Sequence, residues 1–185
     1  MNAPIDITGV VLHTERLTLR PWREDDLNDL YEYAQVDGVG RMAGWSAHRD
    51  IEESRRILRM FMDEKKTFAL EYQGKVIGSL GIEIYEERRY PELDLAEKRG
   101  REIGYVLSKD YWGRGLMTEA VREVIRWLFD DVKLDFVTVG HFIRNDRSRR
   151  VIEKCGFEYV KNIPYDTEDG RTEDSMEYIL YNTNE

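Results

Sequence analysis

A mixed α/β fold on a single sheet, in the order β-α-α-β-β-β-α-β-α-β-β, follows from three features of the sequence. Apolar residues recur at helical spacing in four segments and at strand spacing in seven. The strongest helical segment, Gly115–Phe129, lies between two strand-like segments, and strands joined by a helical crossover usually run parallel. The four prolines, Pro4, Pro21, Pro91 and Pro164, fall outside the periodic runs, and no repeat or Ser/Gly-rich linker divides the chain. One domain is expected.

Leu17-Thr18-Leu19-Arg20-Pro21 alternates as a short strand. Leu27, Leu30, Tyr31 and Ala34 form a helical stripe behind an acidic first turn, Glu24-Asp25-Asp26. A second helix carries Ile51, Ile57, Leu58, Phe61 and Met62, with Asp50 and Glu53 resembling a capping box. Thr67–Tyr72 and Val76–Tyr85 flank Gln73-Gly74, a hairpin signal. Glu86–Gly100 is highly charged and reads as an exposed loop, followed by a strand at Arg101–Leu107. Along Gly115–Phe129, Leu116, Met117, Ala120, Val121, Val124, Ile125 and Leu128 share one side, and Glu119, Arg122, Glu123 and Arg126 the other. Phe136–Phe142 is strand-like. The last helix has Ser148, Val151, Ile152 and Cys155 inward, Asn145 or Asp146 as its cap and Gly156 at its end. Phe157–Lys161 and Met176–Tyr181 are the closing strands, separated by turn chemistry at Asp166–Arg171.

At 185 residues the chain can bury roughly 70% of its unfolded surface without metals or disulfides. Its 41% hydrophobic content, with 14 glycines added, is ordinary for a globular domain. The net charge of −9 argues against nucleic acid or an anionic membrane as the main partner, and it suits a cationic or amine partner. One cysteine, Cys155, excludes an intrachain disulfide framework, and three scattered histidines give no transition-metal spacing, so no metal is expected. Met1–Leu12 has no cationic leader region, and no apolar run reaches the roughly 20 residues a bilayer requires. A cytoplasmic protein is the expectation.

Two blocks carry the chemistry. The first runs from Tyr105 to Ala120: a strand ends, Gly113-Arg114-Gly115 follows within a short loop, and a helix begins at once. Glycines there let main-chain N–H groups approach an anion, and a new helix presents unpaired donors. A tight strand-to-helix turn would look the same. Neither a P-loop nor a dinucleotide fingerprint is present, since no Gly-Lys-Ser/Thr and no third glycine follow. The second block runs from His141 to Phe157. Between Arg144 and Lys154 it holds five cations against two acids, a local reversal of sign that suits a phosphate-bearing anion or, more plainly, a solvated helix face.

Together these blocks resemble the acyl-CoA-binding core of the GNAT N-acetyltransferase superfamily. The matching residues are Asp110-Tyr111-Trp112-Gly113-Arg114-Gly115 opening the helix, Asn145-x-x-Ser148, and Glu153-Lys154-Cys155-Gly156-Phe157. The opening Thr14-Glu15-Arg16-Leu17-x-Leu19-Arg20-Pro21, with Asp25 and Asp26, and the run Glu102-Ile103-Gly104-Tyr105 resemble the RimJ/RimL-like branch of ribosomal-protein N-acetyltransferases. The likeness covers residues 14–181 in order, within one domain spanning 1–185.

The resemblance implies the GNAT fold, acetyl-CoA as acetyl donor and an amine acceptor, either a protein N-terminus or a small cationic amine. The product would form by direct attack in a ternary complex. The carrier's diphosphate would sit on main-chain N–H groups from Tyr111 through Thr118, that is Tyr111, Trp112, Gly113, Arg114, Gly115, Leu116, Met117 and Thr118. Ser108, Asn145 and Arg149 would add contacts, and the Val106 N–H would face the oxyanion. Glu102, at the start of the strand leading into the loop, is the expected base, because an amine of pKa near 8–10 is mostly protonated at neutral pH. A carboxylate buried against apolar walls rises toward neutral pKa; pairing with Arg99 or Arg101 is the structural alternative. Two positions depart from the family pattern. Asp110 replaces the usual Arg or Gln. Ile152 replaces the tyrosine that reprotonates the CoA thiolate in many relatives, so that role passes to Ser148, which equally suits a small first-turn residue. Cys155 reads as core and His141 as a strand-end residue. The competing function is a non-catalytic acyl-CoA-binding module, and the chain could act as monomer or homodimer.

Overall fold

A computed structural model describes residues 1–183. Eight strands form one sheet: β1 (Leu12–His13), β2 (Leu17–Pro21), β3 (Thr67–Tyr72), β4 (Lys75–Glu83), β5 (Gly100–Leu107), β6 (Phe136–Phe142), β7 (Glu158–Asp166) and β8 (Thr172–Tyr181). The helices are α1 (Leu27–Ala34), α2 (Ile51–Glu64), α3 (Leu116–Asp130) and α4 (Asp146–Lys154). The strand order is β1-β2-β3-β4-β5-β6-β8-β7. The predicted order of elements therefore holds, with the two-residue β1 added at one edge.

Strand alternation divides the side chains between two faces. On the first, Leu17, Leu19, Leu80, Ile103, Val137 and Val139 pack against the apolar side of α3 and against Ile152 of α4. On the second, Trp22, Leu30, Leu58 and Ala69 form a core beneath α1 and α2. Farther along that face, Tyr85, Tyr90 and Leu95 cover Phe136 and Ile179. The connection between β4 and β5 is thus not the plain exposed loop its charge suggested: Tyr90 and Leu95 anchor it, and the charges stand outward. Two prolines also depart from expectation: Pro21 is the last residue of β2, and Pro164 falls inside β7. That is an edge strand, where a missing N–H costs no interior ladder bond.

The parallel pair predicted around α3 is β5 with β6, and it is short. Gly100, Arg101 and Glu102 pair with Phe136, Val137 and Thr138, and no pairing follows. β5 stays paired to β4 as far as Leu107, and β6 to β8 as far as Phe142. The sheet therefore forks beyond Glu102, and the ends of β5 and β6 lead to the starts of α3 and α4 on either side of the opening.

Candidate active site

A cavity of about 240 Å³ occupies the first-face side of the fork. Tyr105, Val106 and Leu107 of β5 line it, with Tyr111, Trp112, Gly113, Gly115, Leu116, Met117 and Thr118 from the loop and the first turn of α3. Asn145, Arg147, Ser148, Arg150, Val151 and Lys154 come from α4, and Val39, Met42 and Ala43 form an upper edge. A shallower recess shares Gly115, Thr118 and Lys154 with it and continues to Arg16 and Arg122.

The loop conformation explains its glycines. Gly113 and Gly115 have φ of 75° and 78°, in the left-handed region that side chains disfavour, and Gly115 is the residue from which α3 starts. Glu119 N–H donates to Gly115 O, so the N–H groups of Leu116, Met117 and Thr118 stand ahead of the first intrahelical bond. The loop is held from outside. Glu119 accepts from Thr14 Oγ1, from Arg16 N (2.7 Å) and from Arg16 Nε (2.9 Å), and Arg16 Nη1 donates to Arg114 O (3.0 Å). Trp112 is pinned by its indole N–H to Leu107 O (2.8 Å), and Arg147 lies over its ring at 4.3 Å.

At the α4 side, Asn145 Oδ1 accepts from Ser148 N (3.2 Å), the expected cap. Its amide also donates to Met42 O (3.3 Å), while Arg144 Nη2 donates to Arg41 O (3.0 Å), so the segment after α1 is tied across the fork. Ser148 Oγ lies 2.9 Å from the Tyr105 hydroxyl. Burial pushes the Tyr105 phenol upward, so it remains protonated and able to donate.

Glu102 lies on the second face at the closed end of the fork, outside the cavity lining. Burial, and then the charge of Glu177, push its carboxyl up to about 7, against the opposing pull of Arg89. Its side chain keeps 23% exposure, and Arg89 Nη1 approaches to 3.8 Å. The alternative partners are engaged elsewhere: Arg101 Nε donates to Ala3 O (2.6 Å) and Arg99 Nη1 to Lys133 O (3.2 Å).

Three predicted carrier contacts stand apart from the lining. Ser108 opens the turn after β5, its N–H donating to Ile77 O (2.7 Å) and its carbonyl accepting from Tyr111 N (3.0 Å). The Arg114 side chain folds back to Asp110 O (2.9 Å) and over the Tyr111 ring. Arg149 pairs with Asp146 and Glu153 along the flank of α4, and Arg147, Arg150 and Lys154 face the cavity instead. Helical spacing could have shown this, since 147, 150 and 154 share a stripe with Val151 whereas 149 does not. Ile152 is 1% exposed in the first-face core, so no proton donor stands there. Burial raises the Cys155 thiol to about 11, leaving it inert. His141 is buried, its Nδ1 2.8 Å from Phe142 O and its Nε2 3.2 Å from the Tyr178 hydroxyl.

Sequence reasoning missed two features. Tyr105 is one. The other is Gly104, exposed in the middle of a central strand, with open space where a Cβ would stand. It shares the second face with Glu102 and Val106 and leaves open space between them; a glycine inside a predicted strand is the signal that marks such a place.

A model of the acetyltransferase (GNAT) domain matches residues 16–158. The chain belongs to the GNAT acetyltransferase family. It is an acetyl-CoA-dependent N-acetyltransferase by that membership. It is 29% identical over 174 residues to the uncharacterized N-acetyltransferase YoaA of Bacillus subtilis, covering 85% of this chain and 93% of YoaA. The GNAT-family acetyltransferase from Bacillus anthracis shares its fold with a TM-score of 0.81 at 20% identity, over 95% of this chain and all of that one. RimJ of Mycobacterium smegmatis, solved in complex with CoA-disulfide, shares the fold with a TM-score of 0.74 at 19% identity, over 92% and 87% of the two chains. Among the described residues no group of three or more His, Cys, Asp or Glu is placed to hold a metal ion, and no helix is long and apolar enough to cross a membrane.

Proposed function

We propose that this GNAT enzyme acetylates a primary amine, either a protein N-terminus or a small cationic amine, by direct attack within a ternary complex. The observation that carries the reading is the fork itself, which opens onto the glycine loop on one face of the sheet and onto Glu102 and Gly104 on the other. Acetyl-CoA enters on the first face. Its diphosphate meets the N–H groups of the Gly113–Thr118 turn, and the cationic recess toward Arg16 and Arg122 takes the rest of the carrier. The amine enters over Gly104 on the second face.

Glu102, its carboxyl pushed up to about 7 by burial and Glu177, is suited to accept the proton of an ammonium. Val106 lies four residues along β5, about 13 Å at strand rise, so the proton travels through water. The resulting amine attacks the thioester carbonyl, whose oxygen meets the Val106 N–H. The C–S bond then breaks, and the thiolate leaves beside Ser148, whose hydroxyl hands it a proton and regains one through water from the nitrogen, which becomes the neutral amide. The net charge of −9 supports a cationic acceptor in a cytoplasmic setting.

The test is thiol release from acetyl-CoA with a panel of N-terminal peptides, polyamines, aminoglycoside-like amines and amino acids. Release with one class identifies the acceptor. Calorimetric binding of acetyl-CoA with no release from any amine would assign the chain to carrier binding alone.

A further inference from the structure

Glu177 of β8 is 1% exposed, yet it carries a carboxylate on the second face of the sheet. Two hydroxyls hold it: Tyr90 O–H donates to Oε2 (2.9 Å) and Ser175 O–H to Oε1 (2.7 Å). Its direction is set by a glycine. Gly140 of β6 pairs with Glu177, and a Cβ on Gly140 would stand 2.6 Å from Glu177 Oε1. The carboxylate therefore leans over β6, toward β5. On that side Glu102 pairs with Thr138, two residues before Gly140. Two acids thus approach β6 from opposite sides on one face, an arrangement that weakens the fold electrostatically.

A cation lies beside Glu102, and it faces Glu177 as well. Arg89 Nη1 is 3.8 Å from Glu102 Oε2, Arg89 Nη2 is 2.9 Å from Glu86 Oε1, and the guanidinium covers the Tyr165 ring at 5.6 Å. Arg89 and Tyr90 are adjacent, so one anchored turn places both the cation beside Glu102 and the hydroxyl that holds Glu177. The remaining charged and titratable groups toward Glu102 are Glu83 of β4, which is paired to Lys66, together with Glu86 and Tyr165.

We propose that Glu177 and Arg89 are positioning residues of the acetyl-transfer site: a fixed buried anion and a guanidinium that together set the proton affinity of Glu102. This rests on the reading of Glu102 as base. The anion makes a weak carboxylate base stronger, and the arginine limits that effect and holds one carboxyl oxygen at 3.8 Å. Neither group contacts the reacting atoms.

The experiment is the pH profile of kcat/KM, from pH 5 to 9, for wild type, Glu177→Gln, Arg89→Gln and Glu102→Gln. Acetyl-CoA affinity and thermal unfolding are measured on each. Glu177→Gln moves the acid limb to lower pH by about one unit, because a neighbouring negative charge has gone, and lowers the plateau. Arg89→Gln moves the limb the opposite way. Acetyl-CoA affinity stays within about twofold in both, since neither lines the carrier cavity. If Glu177→Gln fails to fold, the Arg89→Gln shift alone decides. A limb that stays in place in every folded variant of this pair, while Glu102→Gln abolishes it, overturns the proposal and leaves Glu102 as base. A profile unchanged in Glu102→Gln itself overturns the base assignment, and the proposal with it.

Discussion

The hydroxyls of Tyr105 and Ser148 stand 2.9 Å apart, joining the forked end of β5 to the first turn of α4. The Tyr105 oxygen also lies 3.4 Å from the Ser148 carbonyl, so the phenol has two acceptors on one residue. With Tyr105 donating, the serine proton is left for the cavity, where a departing thiolate would lie. Ser148→Ala is expected to lower kcat by roughly 10²-fold with acetyl-CoA affinity little changed. Tyr105→Phe should give a smaller loss in the same direction. An undiminished kcat in Ser148→Ala, measured by stopped-time thiol release, would leave this pair a packing contact.

Glu102→Gln should reduce kcat at pH 7, and the deficit should shrink as pH rises, because the acceptor then deprotonates without help. Rates from pH 6 to 10 with one acceptor at saturation are the measurement. A constant ratio of variant to wild type across that range would remove Glu102 from proton transfer.

The same substitution bears on stability, with the opposite benefit. The Glu102 carboxyl rises from its ordinary 4.5 to about 7 in the folded protein. Between those values the folded chain binds more protons than the unfolded one, so this contribution is fully present below about 4.5. It is lost as pH rises through 7. Glu102→Gln should therefore stabilise the protein at pH 8 by on the order of 1–3 kcal/mol and change little at pH 4. Denaturant midpoints at the two pH values check this.

Gly113→Val places a branched side chain at φ 75°. The expected outcome is strain of roughly 1–2 kcal/mol and a weaker grip on acetyl-CoA, with Gly115→Val behaving alike. Titration calorimetry showing normal affinity in both variants would discredit the main-chain cradle.

Arg20 and Asp26 form a two-pronged pair at 2.8 and 2.9 Å, only 5% and 6% exposed, and Arg20 Nε also meets Glu71 Oε2 at 2.6 Å. Asp26→Ala strands a buried guanidinium and should cost about 3–5 kcal/mol of unfolding free energy. A loss under 1 kcal/mol in urea unfolding would show that Glu71 alone satisfies it.

Arg20 shows how the sequence can be legible in pattern and opaque in cause. The Leu19-Arg20-Pro21 and Asp26 residues stood out through family likeness, yet their work is architectural, tying β2 to the start of α1. The helices and the β5–α3–β6 crossover were readable because apolar periodicity is local information. The glycine loop was readable because few residues tolerate its backbone. Glu177 was not, since nothing in Ser175-Met176-Glu177-Tyr178 says that a space left by Gly140 receives its carboxylate. Arg89 and Tyr90 were hidden for a like reason: a charged segment reads as solvated until its two anchoring side chains are seen underneath. Arg149 follows from the resemblance alone, and a run of cations carries no direction around a helix until the helix is docked; Arg147 and Arg150 are the ones that face the cavity.

The parted ladder between β5 and β6 has one more consequence. Past Glu102 and Thr138 the two strands no longer pair, so main-chain groups that a continuous sheet would match with each other face the gap instead, as rungs with one end empty. A guest whose own linker carries peptide-like amides is expected to lie along them and complete the weave, which would make the backbone a reader of the donor before any side chain is consulted. Amide hydrogen exchange along Ile103–Leu107 should slow when such a guest is bound, and the two halves of the sheet should then move as one.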